Sequence, residues 1–125
     1  MIDVVAALIK IKGQYFIGKR ISGEPSGLWE FPGGKVNIGE TYEEAIIREI
    51  KEELNIHIKI IKKLGNVKHE YPTRTINLTL YLAEYISGDI KLNSHSEYKL
   101  VDINALSSYD LAPADKKLLP YIKKR

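Results

Sequence analysis

The 125-residue chain contains no cysteine, which excludes a disulfide framework and any thiolate metal site. A reducing, cytoplasmic setting is the compartment that this absence fits. No stretch approaches 18 consecutive apolar residues, so no membrane-spanning helix is expected and the chain should be soluble. Its start, Met1-Ile2-Asp3, has no basic region ahead of an apolar run, so no signal peptide is visible. Internal repeats and low-complexity segments are also missing. Charge of one sign is nearly absent in net: 19 Lys and Arg stand against 16 Asp and Glu, for a net charge of +3. Part of the excess lies in Lys116, Lys117, Lys123, Lys124 and Arg125, read as a solvated basic tail. The basic residues form no aromatic-interleaved stripe, which argues against a duplex nucleic acid as partner. Long-range attraction for nucleotide phosphates is compatible with the balance. The 44% hydrophobic content suits one domain over residues 1–125 with a sizeable core.

The informative stretch is residues 33–56, a loop feeding an acidic helix. Thr41 is followed three residues later by Glu44, the capping-box pattern that satisfies free N–H groups at a helix start. The helix is therefore expected to start at Thr41. At about 100° per residue, Ile46, Ile47, Ile50 and Leu54 share an apolar arc, and Ala45, Glu49, Glu52 and Glu53 share another. Carboxylates spaced i, i+3 and i+4 repel one another, and a helix gains nothing from that arrangement. A divalent cation relieves it. Hard oxygen ligands on a rigid element suit Mg²⁺, or Mn²⁺ in its place, with the metal bridging to substrate phosphates. Glu40 adds a carboxylate from the loop. Arg48, beside the acidic arc, either orients these carboxylates or grips a phosphate.

Read together, Gly34, Glu40, Arg48-Glu49, Ile50, Glu52-Glu53, Leu54 and Ile56 resemble the Nudix box, Gly-x5-Glu-x7-Arg-Glu-(apolar)-x-Glu-Glu-x-Gly-(apolar). The one departure is Asn55 where the family has Gly; Asn is the next most tolerant residue of a left-handed conformation just past a helix. Six polar or glycine positions match, a coincidence of roughly 10⁻⁷ per starting position at average composition.

Around the box, residues 4–11 read as a buried strand and residues 14–19 as its hairpin partner, turned at Gly13. Residues 21–28 read as a loop. Residues 56–63 and 66–71 look like a strand broken at Gly65, with a turn at Pro72-Thr73 and a long antiparallel strand over 75–86. Residues 94–97 read as a polar loop before a short strand over 98–103. A second helix starts in residues 111–119, with Pro113 in its first turn. These elements suggest an α+β layered fold, and the Nudix resemblance makes it an α/β/α sandwich around a mixed β-sheet. His57, His69 and His95 show no metal-ligand spacing and read as structural or surface residues.

The resemblance implies a metal-dependent hydrolase of nucleoside diphosphates linked to another group. For a short chain of the MutT-like kind it implies a nucleoside triphosphate pyrophosphohydrolase releasing a monophosphate and pyrophosphate. The roles in view are nucleotide-pool sanitation, with its link to DNA repair, or pyrimidine nucleotide turnover. It assigns metal binding to Glu49, Glu52 and Glu53 and to the carbonyl of Gly33. It leaves Glu97, on the expected loop, as another metal ligand, and either Glu49 or Glu97 as the base beside Arg48. Arg20 becomes a candidate phosphate contact or an ordinary strand-end charge. Phe31 either flanks the base or is plain core, and Gly34 and Lys35 complete the candidate substrate contacts. The Ala-Pro-Ala-Asp stretch ending at Asp115 is similar to one found in CTP pyrophosphohydrolases and some oxidised-purine triphosphatases, where the last position reads the base; the alternative for Asp115 is a helix cap. An ionised carboxylate accepts but does not donate hydrogen bonds, so Asp115 fits bases that present N–H groups, such as cytosine or an oxidised purine such as that of 8-oxo-dGTP, over uracil and thymine. The rival readings are a Nudix hydrolase of ADP-ribose, a dinucleoside polyphosphate or capped RNA, and a nucleotide-sensing domain without catalysis. A monomer or homodimer is expected.

Overall fold

The apolar run near the N-terminus becomes the middle of strand β1 (Ile2–Ile11), which is buried on both faces from Val5 to Ile9. A strand covered on both sides reads as a continuous apolar run. The computed structural model describes residues 1–21 and 27–122, so most of the loop expected over 21–28 and the tail residues 123–125 lie outside it. Lys12 (φ 51°) and Gly13 (φ 80°) turn the chain into β2 (Gln14–Arg20), and two successive positive φ values suit a tight hairpin. β2 stays beside β1 only at Lys10 and Ile11. Further along, that edge of β1 is taken by β4 (Gly33–Lys35), which pairs with Val4, Val5 and Ala6. The short strand β3 (Trp29–Glu30) pairs with β2 instead. The chain from Trp29 to Lys35 thus crosses from one strand to the next, and the site is built on this crossing.

The far edge of β1 pairs in parallel with β6 (Arg74–Ser87), from Ile2 opposite Ile76 to Lys10 opposite Glu84. β6 is in turn antiparallel to β5 (His57–Tyr71). The expected break at Gly65 is one of three register shifts within one continuous strand, falling between Lys63 and Gly65. Gly65 is needed there because a Cβ would run into the Tyr121 ring. β7 (His95–Val101) pairs with β2. This corrects the expected loop over 94–97: His95 and Glu97 already lie in a strand, and Ile103 belongs to a 3₁₀ turn, Ile103–Ser108.

Helix α1 (Tyr42–Leu54) covers one face of this mixed seven-stranded sheet, packing Ala45, Ile46, Ile50 and Leu54 onto Val5, Ala7, Ile9, Phe16, Tyr81 and Ala83. On the other face Trp29, Phe31, Leu106, Leu111, Leu118 and Ile122 pack against Ala6, Leu8, Ile17, Leu78 and Leu80. The second helix is shorter than expected. α2 is Pro113–Lys116 and gives way to a 3₁₀ turn, Leu119–Tyr121, where Pro120 has no N–H to continue an α-helical ladder. The result is the expected α+β sandwich.

Candidate active site

The capping box forms as its spacing requires. Thr41 Oγ1 accepts from the Glu44 N–H at 3.0 Å and Glu44 Oε1 accepts from the Thr41 N–H at 2.8 Å, which makes Thr41 the cap and Tyr42 the first helical residue. Asn55 closes α1 in the left-handed conformation, φ 62°. The buried arc differs from the sequence reading: Ala45 is buried and Ile47 is 42% exposed. Measured from Ala45 at about 100° per residue, the buried residues span about 0–180°, with Glu49 near 40°, Glu53 near 80°, Glu52 near 340° and Ile47 near 200°. Two box carboxylates therefore share the buried side, and the third faces outward. The Glu49 side chain is 15% exposed and that of Glu52 58%.

Two glycines receive the inward pair. The Gly33 N–H donates to Glu53 Oε1 at 3.2 Å, and a Cβ on Gly34 would overlap the Glu49 carboxylate. Burial pushes the Glu53 carboxyl up to about 7; His95 and the Gly33 N–H oppose the shift, and Glu30 and Glu49 reinforce it. Burial also raises Glu49, against the pull of Arg48. Arg48 is committed to the protein. Its Nε and Nη2 grip the Glu40 carboxylate at 2.6 and 2.9 Å, Nη2 also donates to the Lys35 carbonyl at 3.0 Å, and Nη1 reaches Glu52 at 3.1 Å. This clamp ties the loop to the helix and holds Glu40, with help from the Asn37 N–H, at about 2. Of the two roles open to Arg48, the geometry displays the orienting one. Lys35 contributes its carbonyl to the clamp.

Beside the box lies a cleft of about 90 Å³ lined by Arg20, Glu30, Phe31, Gly33, Tyr71, Arg74 and Asp115, with apolar walls from Val4, Ala6, Ile76 and Leu78. Phe31 is core and cleft wall at once, 3% exposed and packed in the second apolar cluster. Asp115 is not the cap of α2; Ala112 holds that position, without a side-chain hydrogen bond. Instead the Asp115 carboxylate accepts from the Phe31 N–H at 2.8 Å. Burial pushes Asp115 up to about 7, reinforced by Glu30 and only partly offset by the Phe31 N–H. The backbone from Phe31 to Gly33 thus anchors the cleft carboxylate at one end and a box carboxylate at the other. The two donors sit two residues apart, roughly 7 Å in extended chain.

Arg20 is 19% exposed at the side chain and donates from Nε to Glu30 Oε1 at 2.7 Å, so it lines the cleft in the grip of a protein carboxylate. Glu97 stands apart from the box. Tyr98 stacks on Phe16, which packs under α1, and neighbouring strand residues point to opposite faces. Glu97 therefore projects from the face away from α1, where it is half exposed and 3.6 Å from Lys19. Among the described residues, no three His, Cys, Asp or Glu side chains already stand grouped as a metal-ligand set.

The description NUDIX domain matches residues 1–122. The chain is a Nudix hydrolase. It is 33% identical over 120 residues to a CTP pyrophosphohydrolase of Escherichia coli, covering 95% of this chain and 89% of that one. It is 34% identical over 121 residues to an 8-oxo-dGTP diphosphatase of Haemophilus influenzae, with the same shares. Among solved structures, a MutT Nudix hydrolase from Burkholderia pseudomallei superposes with a TM-score of 0.87 at 28% identity, covering 98% of both chains. Nudix hydrolases generally use divalent metal ions, and the chain is a nucleotide pyrophosphohydrolase by kinship.

Sequence reasoning overlooked two groups in this Nudix hydrolase. Glu30 is half-buried, its side chain 21% exposed, and an acid between two aromatics in the chain was a signal that it needs partners. His95, grouped with two other histidines as structural or surface, is 3% exposed and its Nε2 lies 2.9 Å from Glu30 Oε2. Tyr71 and Arg74, which flank the turn at Pro72-Thr73, also line the cleft. No periodicity could have placed that hairpin end there.

Proposed function

We propose that this Nudix hydrolase cleaves a nucleoside triphosphate to the monophosphate and pyrophosphate, acting on a cytosine or oxidised-purine nucleotide with Mg²⁺, or Mn²⁺ in its place. The observation that carries the reading is the shared backbone of cleft and box: one short segment presents the Phe31 N–H to Asp115 and the Gly33 N–H to Glu53. A base in the aromatic-walled cleft then has its phosphates beside the carboxylates.

The donor set fits a divalent cation. Glu49 and Glu53 are hard oxygen ligands, partly buried, and burial already disfavours their charged forms. Glu49, Glu53 and the outward Glu52 would hold the ion, with the Gly33 carbonyl nearby. When bound, it neutralises phosphate charge and makes a water more acidic. Arg48 fixes the loop and, through Glu52 and Glu49, the carboxylate face. Glu49, raised above the usual carboxyl range, accepts the proton of the attacking water. Glu97, on the other face of the sheet, takes no part in this scheme.

Asp115 reads the base edge. Its carboxylate is satisfied on one side by Phe31, and the ionised form accepts from the amino group of cytosine or the added N–H of an oxidised purine. A lone carbonyl in that place is repelled by the ionised form, which prevails above about pH 7, so there uracil and thymine nucleotides are poor substrates. The test is release of pyrophosphate and phosphate from CTP, 5-methyl-dCTP, 8-oxo-dGTP, UTP, dGTP and ADP-ribose. Pyrophosphate from a cytosine or oxidised-guanine triphosphate, lost in Glu53→Gln, is the expected result. Equal rates for CTP and UTP would sink the role of Asp115, and turnover of ADP-ribose alone would overturn the substrate class.

A further inference from the structure

The Glu30 carboxylate is forked between two elements. Oε1 accepts from Arg20 Nε at 2.7 Å on β2, and Oε2 lies 2.9 Å from His95 Nε2 on β7. Burial alone would raise this carboxyl, but the contacts with His95 and Arg20 outweigh burial and hold it below the usual range. An ionised carboxylate only accepts, so Nε2 carries the hydrogen and donates. The His95 ring has no freedom to do otherwise. Its side chain is fully buried, it meets Phe16 edge to face at 6.3 Å, and it lies so flat on Gly18 that a Cβ there would stand 2.6 Å from Cδ2. The register of β2 against β7 shifts between Gly18 and Arg20, which sets His95 opposite Arg20. Arg20 and Glu30 line the cleft, whereas His95 does not.

We infer that His95 is a positioning residue for the cleft: its buried ring fixes the Glu30 carboxylate, and Glu30 fixes the Arg20 guanidinium at the cleft wall. Tyr71 also interacts with the Arg20 guanidinium, but the Nε–H bonded to a carboxylate oxygen keeps its freedom as long as that carboxylate can rotate. A second donor on the other oxygen removes the rotation, and a guanidinium locked in place loses less freedom when a ligand binds. The arrangement makes Gly18 part of the same device, since only a residue without a side chain leaves room for the ring. The consequence for substrate rests on the reading of the cleft as the nucleotide site; the coupling from His95 to Arg20 does not.

The test compares His95→Leu, His95→Gln and Gly18→Ala with the wild-type chain. The first readout is the Arg20 Nε–H signal in a proton–nitrogen correlation spectrum, identified by its loss in Arg20→Lys. The signal should be sharp in the wild type and in His95→Gln, whose amide can replace the Nε2 donor. It should broaden by exchange in His95→Leu and Gly18→Ala, with the backbone spectrum otherwise retained. The second readout is kinetic: with a nucleotide that the wild type turns over, KM should rise about tenfold in His95→Leu and Gly18→Ala while kcat stays within about twofold, and His95→Gln should restore KM. If His95→Leu does not fold, the single methyl of Gly18→Ala carries the same comparison. An Arg20 signal left sharp in His95→Leu or Gly18→Ala overturns the inference. A coupled Arg20 signal with no nucleotide turned over supports the positioning role and overturns the function proposed for the cleft.

Discussion

Gly33 and Gly34 are neighbours, yet a methyl group on each would do different damage. On Gly33 it collides with the Val5 carbonyl, and so with the pairing of β4 and β1. On Gly34 it collides with the end of the Glu49 side chain, which can move aside. Gly33→Ala should therefore cost about 2 kcal/mol in a urea melt. Gly34→Ala should melt within about 1 kcal/mol of wild type but lose on the order of 100-fold in kcat, because it displaces a site carboxylate by an ångström or more. That these glycines permit close approach was legible from the loop; which atom approaches each was not, because β1 and α1 are distant in sequence. The same holds for Asp115, whose partner is 84 residues away. Its carboxyl, at about 7 in the folded chain against an ordinary 3.8, binds more protons folded than unfolded between those values. Stability should therefore fall as pH rises from about 4 to about 7. Asp115→Asn removes this contribution, so its urea midpoint should vary less with pH over that window; an unchanged slope would count against the buried carboxyl.

At the scale of the element, α1 was the best-read part of the chain, because both its ends are local chemistry. Thr41 and Glu44 satisfy each other's backbone N–H groups, and Asn55 takes the left-handed turn. Thr41→Ala should cost about 1 kcal/mol of stability by chemical denaturation. Asn55→Gly should stay within about 0.5 kcal/mol, since glycine relieves the positive φ but gives up the hydrogen bond from Asn55 to the Asp89 carbonyl. The arc of the helix was read less well. Ile47 and Ala45 exchange places relative to the hydrophobic pattern because the sheet beneath decides which side is covered, and a small Ala suits the close approach to β1. The start of β7 was set three residues late for a similar reason: Ser94-His95-Ser96-Glu97 has loop composition, and only pairing with β2 makes His95–Glu97 strand. In the C-terminal segment, Pro113 marks the helix start in the sequence, and Pro120 lies in the 3₁₀ turn that ends the helical stretch early.

Across the whole molecule, the mixed sheet separates two apolar clusters, and the site lies where the strand crossing from Trp29 to Lys35 meets both. The five longer strands were legible along the chain; the short β3 and β4, the parallel pairing at the centre and the cleft it supports were not, since they join segments with no local signal in common. A divalent cation held at Glu53 should couple this site to global stability. Because burial puts that carboxyl at about 7, cation binding competes with a proton there, and the rise in Tm given by Mg²⁺ should grow between pH 6 and pH 8. Glu53→Gln should remove that growth. The parallel pairing of β1 and β6 also has a temporal side. Ile2 lies opposite Ile76, 74 positions later in the chain (76 − 2), and all the pairs from there to Lys10 and Glu84 wait for that ring to close. Helix α1, the β5–β6 hairpin and the pairing of β1 with β2 and β4 can form from near neighbours, whereas the parallel edge of β1 stays open during synthesis until most of the chain has emerged. Non-local closure of this kind slows folding. In that interval the most apolar strand of the protein has one edge unpaired, which makes the newborn chain, rather than the finished enzyme, the form most open to aggregation and most in need of a chaperone.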